Sequence, residues 1–306
     1  MYAIAIHGGA GTIDKLAMTS EKEADYKNAL KVALEAGQKA LAEGKSALDA
    51  VELAVNSLEN CPLFNAGKGA VFCADGGFEL DASIMFGKDL TAGAVAGVKN
   101  IANPISLARK VSEKTAHVLL AGQGAIDFAN SIGINQELDD YFYTKQRYDQ
   151  WQELVGTTEV ALDHGSSTMK PIGTVGAVAL DKEGNIAAAT STGGMTNKRF
   201  GRIGDTAIIG SGTYANNNTC AVSCTGHGEY FLRSVVAYDI SCLMEYGGLT
   251  LEAACNKVVK NKLVKIGGEG GLVAIDAQGN ISLPFNSSGM YRGFFKEGEE
   301  IFTSIY

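Results

Sequence analysis

The chain has 306 residues, 46% of them hydrophobic and 20% charged, with 38 glycines against 4 prolines and a formal net charge of −8. That length admits one large domain or two ordinary ones, and the composition is that of a globular chain whose glycines mark tight turns and close backbone approaches rather than a linker. The acidic balance argues against nucleic acid or an anionic membrane as partner, and no run approaches the ~18 apolar residues of a membrane helix.

Met1 to His7 has neither the basic start nor the apolar length of a secretory leader, so the cytoplasm is the expected compartment. Six cysteines, at 61, 73, 220, 224, 242 and 255, form no C-x-x-C pair and read as small buried hydrophobes rather than a disulfide framework. Ala3 to His7 itself reads as a buried strand running into the turn Gly8-Gly9-Ala10-Gly11. Ser20 with Glu23 carries capping-box spacing, and Leu30, Ala33, Leu34, Gly37 and Leu41 then recur at helical period until Gly44 stops them. Ser46 with Asp49 repeats the signature ahead of Leu48, Val51, Val55 and Leu58, which predicts a second helix packed on the first. Cys61 to Gly69 is too glycine-rich for regular structure, and strands are expected around Val71–Cys73, Phe78–Met85 and Gly93–Val98. Two or three more helices fit between Pro104 and Leu154.

From about Val155 to Lys170 the chain is polar and carries few structure signals; then Pro171-Ile172-Gly173-Thr174 leads straight into a buried strand, Val175 to Leu180. A flexible stretch entering Gly-Thr and then a core strand has the layout of a self-processing junction. A mid-chain threonine is ordinarily a β-branched strand residue. Cut at Gly173–Thr174, however, Thr174 gains an α-amino group that titrates near pH ~7.7–8.0 beside its own hydroxyl, and such an amine can activate it. Downstream, Gly176–Leu180 and Asn185–Thr190 flank the turn Asp181-Lys-Glu-Gly184, and Gly271–Ile275 with Asn280–Leu283 repeats the hairpin design. Between them Glu229–Tyr246 and Leu251–Leu263 read as helices. Paired helices with antiparallel hairpins predict an α+β fold. The break at 155–173 reads as a cleavage linker inside a single domain, because strands on both sides of it must share a core to hold the nucleophile.

The residues after the junction keep chemical company with Thr174. Thr190-Ser191-Thr192-Gly193-Gly194 ends the neighbouring strand and brings hydroxyls near it. Arg202 and Asp205, glycine-flanked, are either a surface ion pair or the minimum needed to hold a zwitterion, with Arg on an α-carboxylate and Asp on an α-ammonium. Thr225 and the Gly226 N–H, ahead of a helix, stand as a cap, as oxyanion donors, or as both.

Taken together these segments resemble the plant-type L-asparaginases and isoaspartyl peptidases, the threonine-dependent asparaginases of the N-terminal nucleophile hydrolase group. The resemblance runs from His7-Gly-Gly-Ala-Gly11 through Pro62-Leu-Phe-Asn-Ala-Gly67, Glu79-Leu-Asp-Ala82, Ala92-Gly-Ala-Val-Ala-Gly97, Gly173-Thr-Val-Gly176, Ser191-Thr-Gly-Gly194 and Gly201-Arg-Ile-Gly-Asp205 to Thr225-Gly-His-Gly-Glu229. It implies a four-layer αββα sandwich, self-cleaved into residues 1–173 and 174–306. It also implies roles: Thr174 as nucleophile, Thr192 as its hydrogen-bond partner, and Thr225 with Gly226 as the oxyanion hole. Asn65 would lie beside the Thr174 amine. Arg202, Asp205, Thr225, Gly226, His227 and Gly228 would bind substrate, although such a histidine more often packs or faces solvent. The segment Leu58–Lys68 matches a sodium loop whose main-chain carbonyls, at Leu58, Glu59, Cys61, Phe64, Ala66 and Lys68, would hold a structural ion; a carbonyl ligand tolerates any side chain, Lys68 included. The Gly8–Gly11 turn matches a loop implicated in self-processing.

No Walker A, H-E-x-x-H or G-x-S-x-G motif occurs, and His7, His117, His164 and His227 have no ligand spacing, so no organic cofactor is expected. The expected activity is hydrolysis of the side-chain amide of L-asparagine or of β-aspartyl dipeptides through a β-aspartyl-threonine ester. A glycosylasparaginase-like amidohydrolase, a largely uncleaved precursor and a binding protein that kept the pocket are the alternatives. The resemblance further implies a homodimer that becomes (αβ)₂ on cleavage.

Overall fold

A computed structural model describes residues 1–16, 18–160 and 173–306. The segment 161–172, most of the expected linker together with Pro171 and Ile172 of the junction, lies outside the described residues. Strand β1 (Ala3–Gly11) opens the chain and is followed by helices α1 (Ser20–Ala42) and α2 (Ala47–Glu59). A single 3₁₀ turn at Gly67–Gly69 precedes strands β2 (Leu80–Phe86) and β3 (Ala92–Val98). Then come α3 (Pro104–Lys114), β4 (Leu119–Ala121), α4 (Gly122–Ser131), α5 (Asp139–Phe142) and α6 (Lys145–Gln152). Beyond the junction lie β5 (Val175–Leu180), β6 (Ile186–Thr192), β7 (Thr213–Ala215) and β8 (Cys220–Gly226). Helices α7 (Gly228–Ser234), α8 (Val236–Glu245) and α9 (Leu251–Asn256) follow, the last carried on as π-helix over Lys257–Leu263. Strands β9 (Gly270–Asp276), β10 (Ile281–Ser282), β11 (Gly289–Lys296) and β12 (Phe302–Ser304) complete the chain.

The strands form a mixed α/β architecture with two sheets. The larger has the order β12-β11-β1-β5-β6-β2-β3-β4, and the smaller runs β10-β9-β8-β7. All neighbours are antiparallel except β3 and β4. Strand alternation sorts the side chains. On β5, Val175, Ala177 and Ala179 join the core under α1, α2 and α3, whereas Val178 and Leu180 face the small sheet. On β8, Cys220, Val222 and Cys224 pack on α7–α9, and Ala221 faces the large sheet. Many inter-sheet residues are alanines (Ala3, Ala5, Ala188, Ala215, Ala221), which lets the sheets approach closely. Among the described residues no helix is long and apolar enough to cross a membrane.

Several elements depart from the sequence reading, each for a local reason. The turn at 8–11 is a continuation of β1: a bulge between His7 and Gly9, where Gly9 has φ 114°, lets the strand run on to Gly11. The N-cap of α1 is Thr19, not Ser20; its hydroxyl accepts from Lys22 N. The Ser46–Asp49 capping box forms as expected. Val71–Cys73 is no strand, since Cys73 N–H donates to Gly77 O across a turn and the segment retains one bridge, to Lys198. Four helices, rather than two or three, lie between Pro104 and Leu154, and α5 is a single turn. The helix expected over 229–246 breaks at Val235, which sits at φ 49°, ψ 51°.

Candidate active site

Parity of the strands decides what meets at the site. Thr174, one residue before β5, and Thr192, at the end of β6, share the inter-sheet face with Val178 and Leu180. Gly176 pairs with Thr190 and Val175 with Ser191, which brings Thr174 opposite Thr192. The Thr174 hydroxyl donates to Thr192 Oγ1 at 3.1 Å, and Thr192 Oγ1 also accepts the Gly194 N–H at 2.9 Å. Thr174 is 8% exposed, so a reacting hydroxyl there meets only what enters the cleft.

That cleft is lined by Gly173, Thr174, Thr192, Arg202, Asp205 and Gly226, with Gly194, Met195, Gly204 and Thr206 completing its wall. Arg202 and Asp205 are not paired with each other. Arg202 is held by Glu229 through two parallel bonds, Nε to Oε1 and Nη2 to Oε2, both 2.9 Å. Asp205 is buried, and its Oδ2 has no hydrogen-bond partner in the structure. Burial pushes its carboxyl up to about 7, with Arg202 pulling the other way and Glu229 and Asp81 adding to the rise. An unpartnered buried carboxylate oxygen is costly, and an incoming ammonium group would satisfy it. A Cβ on Gly228 would lie 2.8 Å from Arg202 Nη2 and 3.0 Å from Asp205 Oδ1, so only glycine leaves this pair room.

Thr225 Oγ1 accepts the Ala10 N–H at 3.1 Å, which commits a lone pair and leaves the hydroxyl proton to donate elsewhere. A Cβ on Gly173 would lie 3.1 Å from that oxygen, so the hydroxyl stands over the backbone at the junction. Gly226 has φ 148°, and Gly226 lines the cleft beside it. Asn65 bonds to the end of β6: its amide donates to Gly194 O at 2.7 Å while its Oδ1 accepts from Val71 N at 3.1 Å. His227 stands apart from the cleft lining, 3.5 Å from Glu229 and edge-on to the Tyr230 ring.

At the end of α2 the Leu58 carbonyl accepts from both Asn60 N and Cys61 N, whereas in the loop beyond it the carbonyls of Phe64 and Ala66 each accept one backbone N–H, leaving each a lone pair. Lys68 turns its ammonium onto the Tyr141 ring, 5.5 Å from the centroid. The buried Glu59 carboxyl accepts from Ser191 Oγ (2.6 Å), Ile105 N (3.0 Å) and Asn103 Nδ2 (3.0 Å), and burial nevertheless pushes it up to about 8. Main-chain carbonyls are hard, neutral oxygen donors, and as a donor set they fit a hard monovalent cation. Among the described residues no group of His, Cys, Asp or Glu side chains could hold a metal ion.

Sequence reasoning missed four contributors. Glu229 was read as part of a motif, not as the partner that orients Arg202; its place in the first turn of α7, near a loop arginine, was the available signal. Met195 and Thr206 line the wall without any motif to mark them. His7 was read as a strand residue, yet its ring reaches the Thr174 carbonyl (3.0 Å), a contact between residues 167 apart in sequence.

With that geometry in hand, the comparisons with known proteins are consistent along the whole chain. The family model described as asparaginase matches residues 1–305. The chain is 54% identical over 306 residues to an isoaspartyl peptidase of Salmonella typhimurium, covering 99% of this chain and 98% of that one. It is 52% identical to an isoaspartyl peptidase of Escherichia coli, covering 99% and 95%. A plant-type L-asparaginase of Pyrococcus horikoshii is 43% identical, with 98% of each chain covered. A match of that extent decides membership: the chain belongs to the asparaginase family whose relatives include the isoaspartyl peptidases and plant-type L-asparaginases.

Proposed function

We propose that the chain is an isoaspartyl peptidase with L-asparaginase activity, activated by its own cleavage at Gly173–Thr174 and built as the four-layer αββα sandwich of the N-terminal nucleophile hydrolases. The observation that carries this reading is the shared cleft: a buried threonine hydroxyl at a Gly-Thr junction, bonded to Thr192, faces Arg202 and the unpartnered oxygen of Asp205.

In the uncut chain, Thr174 Oγ attacks the Gly173 carbonyl. The amide C–N bond breaks, the nitrogen takes the proton, and Gly173 is left as an ester on Thr174. Water hydrolyses that ester, which releases Gly173 as a carboxylate and restores the Thr174 hydroxyl beside the amine already freed. The amine then accepts the proton of its own hydroxyl as Oγ attacks the side-chain carbonyl of a bound aspartyl group. Thr225 Oγ–H and the Gly226 N–H donate to the oxyanion. The leaving amine departs with the proton, ammonia from asparagine or an amino acid from a β-aspartyl dipeptide, and water releases aspartate. Arg202, steadied by Glu229, keeps its remaining N–H groups for the α-carboxylate, and Asp205 takes the α-ammonium. Both clamps grip the aspartyl half, which leaves the leaving group largely unread.

In this reading the carbonyls of Leu58, Glu59, Cys61, Phe64, Ala66 and Lys68 would hold a sodium ion whose charge fixes the loop carrying Asn65, with Asn65 serving the Thr174 end of the site. His227 serves the rim, through Glu229. Small α-amino acid substrates, a homodimer becoming (αβ)₂, and a cytoplasmic setting that keeps the six free thiols reduced complete the proposal. The test is intact mass under denaturing conditions, read beside hydrolysis of a β-aspartyl dipeptide. Two fragments meeting at Gly173/Thr174 and release of free aspartate are expected. A single uncut species without activity would overturn the reading.

A further inference from the structure

Between the apolar inter-sheet core and the cleft lies a run of fully buried polar side chains that the proposed chemistry does not use. His7, Ser83, Thr190, Thr213 and Ser223 are each 0% exposed and come from five different strands of both sheets. His7 Nδ1 is 3.0 Å from Thr174 O, and Nε2 is 2.9 Å from Ser223 Oγ. Ser223 Oγ is 2.7 Å from Thr190 Oγ1, which accepts from Thr213 Oγ1 at 2.5 Å. Ser83 Oγ closes the far end, sharing its one proton between Thr213 Oγ1 at 2.7 Å and the carbonyl of Thr206, the neighbour of Asp205, at 2.5 Å.

Donor and acceptor bookkeeping orders these bonds. A carbonyl oxygen only accepts, so His7 carries its proton on Nδ1 and donates to Thr174 O. The bare Nε2 then accepts from Ser223; the Ser223 oxygen accepts from Thr190 at 2.7 Å, a shorter path than the alternative acceptor Gly212 O at 3.3 Å, and the Thr190 oxygen accepts from Thr213. Burial drives the His7 ring down to about 3 against the opposing pull of its bond to Thr174 O, so the ring is neutral and this tautomer is kept across the physiological range. The sequence makes room for the chain at a cost: a Cβ on Gly176 would run into Ser223 Oγ and His7 Nε2. Once cut, Thr174 has no residue before it, and its carbonyl becomes its first main-chain anchor.

We propose that His7, ordered by the hydroxyl chain Thr213–Thr190–Ser223, is a positioning residue that fixes Thr174 through its main-chain carbonyl, while Ser83 registers the same chain to the Asp205–Thr206 clamp. It acts through Thr174 and touches no substrate. The proposal rests on Thr174 being the nucleophile.

The test compares Thr190→Val with Thr190→Ser in the mature full-length protein. Valine keeps the shape and removes the hydroxyl; serine keeps the hydroxyl and removes a methyl. A positioning chain predicts that Thr190→Val lowers kcat by about 10-fold to about 100-fold with KM within about twofold, since the clamp is intact. Thr190→Ser should recover most of that loss. A packing role predicts the opposite order, with serine the more damaging, and that order overturns the proposal. If neither variant changes kcat by twofold, it is equally overturned. Should Thr190→Val fail to fold, Ser223→Ala replaces it with the same expectation. Nitrogen-15 NMR of the histidine ring gives a readout independent of turnover. His7 should show a protonated, slowly exchanging Nδ1 and a bare Nε2 whose shift moves in Ser223→Ala. A protonated Nε2 in the unaltered protein would sink the chain. An unaltered protein with that His7 signature but no hydrolysis would instead count against the proposed function.

Discussion

At the level of single residues, the proposed division of labour between nucleophile and clamp makes separable predictions. Arg202 lies in the cleft with Asp205 but makes no bond to Thr174 or Thr225. Arg202→Ala should therefore raise KM about 10-fold to about 100-fold, the worth of a lost charge-assisted bond, while self-cleavage proceeds. Fragment analysis beside steady-state kinetics checks this; blocked processing with unaltered KM would assign Arg202 to the wrong step. Asp205 makes a second prediction. Its folded carboxyl titrates at about 7, above the ordinary 3.8, so the fold favours the protonated form. That stabilisation is fully present below about 4 and is lost as pH rises through about 7. A bound ammonium favours the ionised form and expels the proton. Titrating L-aspartate at pH 6 in buffers of different ionisation heat should show close to one proton released per site, falling towards zero at pH 8.5. Equal heats in all buffers would mean Asp205 is already ionised or is not the ammonium's partner. Thr174, Thr192, Arg202 and Asp205 were legible because they fall within one stretch of chain and their functional groups suit one substrate. His7 and Ser223 were not, because their partners lie 167 and 216 residues away and only the folded register joins them.

Elements were readable where their signals are local. The β5–β6 hairpin follows from Asp181, whose Oδ1 accepts from both Glu183 N and Asn185 N, a turn that the four residues themselves encode. The short strands β4 and β7 and the closing pair β11–β12 went unread because neighbouring strands impose them; β7 has three residues and pairs on β8. The break between α7 and α8 was also invisible. Val235 is a poor residue for φ 49°, because a β-branched side chain crowds the left-handed region, yet it must turn the chain there. Gly210 packs against it, and a Cβ there would meet Val235 Cγ1 at 3.6 Å. Val235 is 43% exposed, so little buried surface is lost on replacing it. Val235→Asn should stabilise the fold by about 1 kcal/mol, since asparagine tolerates this conformation without glycine's entropic penalty. Thermal melting checks it; a lower Tm would show that the valine contacts outweigh the backbone strain.

For the molecule as a whole, strand order decides what the proposed cleavage would do. In the large sheet, β12 and β11 belong to the part after Gly173, β1 to the part before it, β5 and β6 to the part after, and β2, β3 and β4 to the part before. The two parts thus meet along three antiparallel seams, β11–β1, β1–β5 and β6–β2, at the centre of the sheet. The core beneath α1 and α2 likewise mixes Leu30, Val51 and Ile84 with Val175, Ala189 and Tyr291. Cutting one peptide bond removes none of these pairings, but separating the parts would expose all of them, together with several rows of backbone N–H and C=O groups. The cut protein should therefore elute from native gel filtration at the position of an uncut Thr174→Val variant, and resolve into two fragments only in denaturant. Separation at neutral pH without denaturant would contradict the interleaved sheet. The same topology suits the proposed nucleophile: Thr174 enters the middle of the sheet beside β1 and β6, where strands from both parts would hold its surroundings in place once the chain in front of it had been cut.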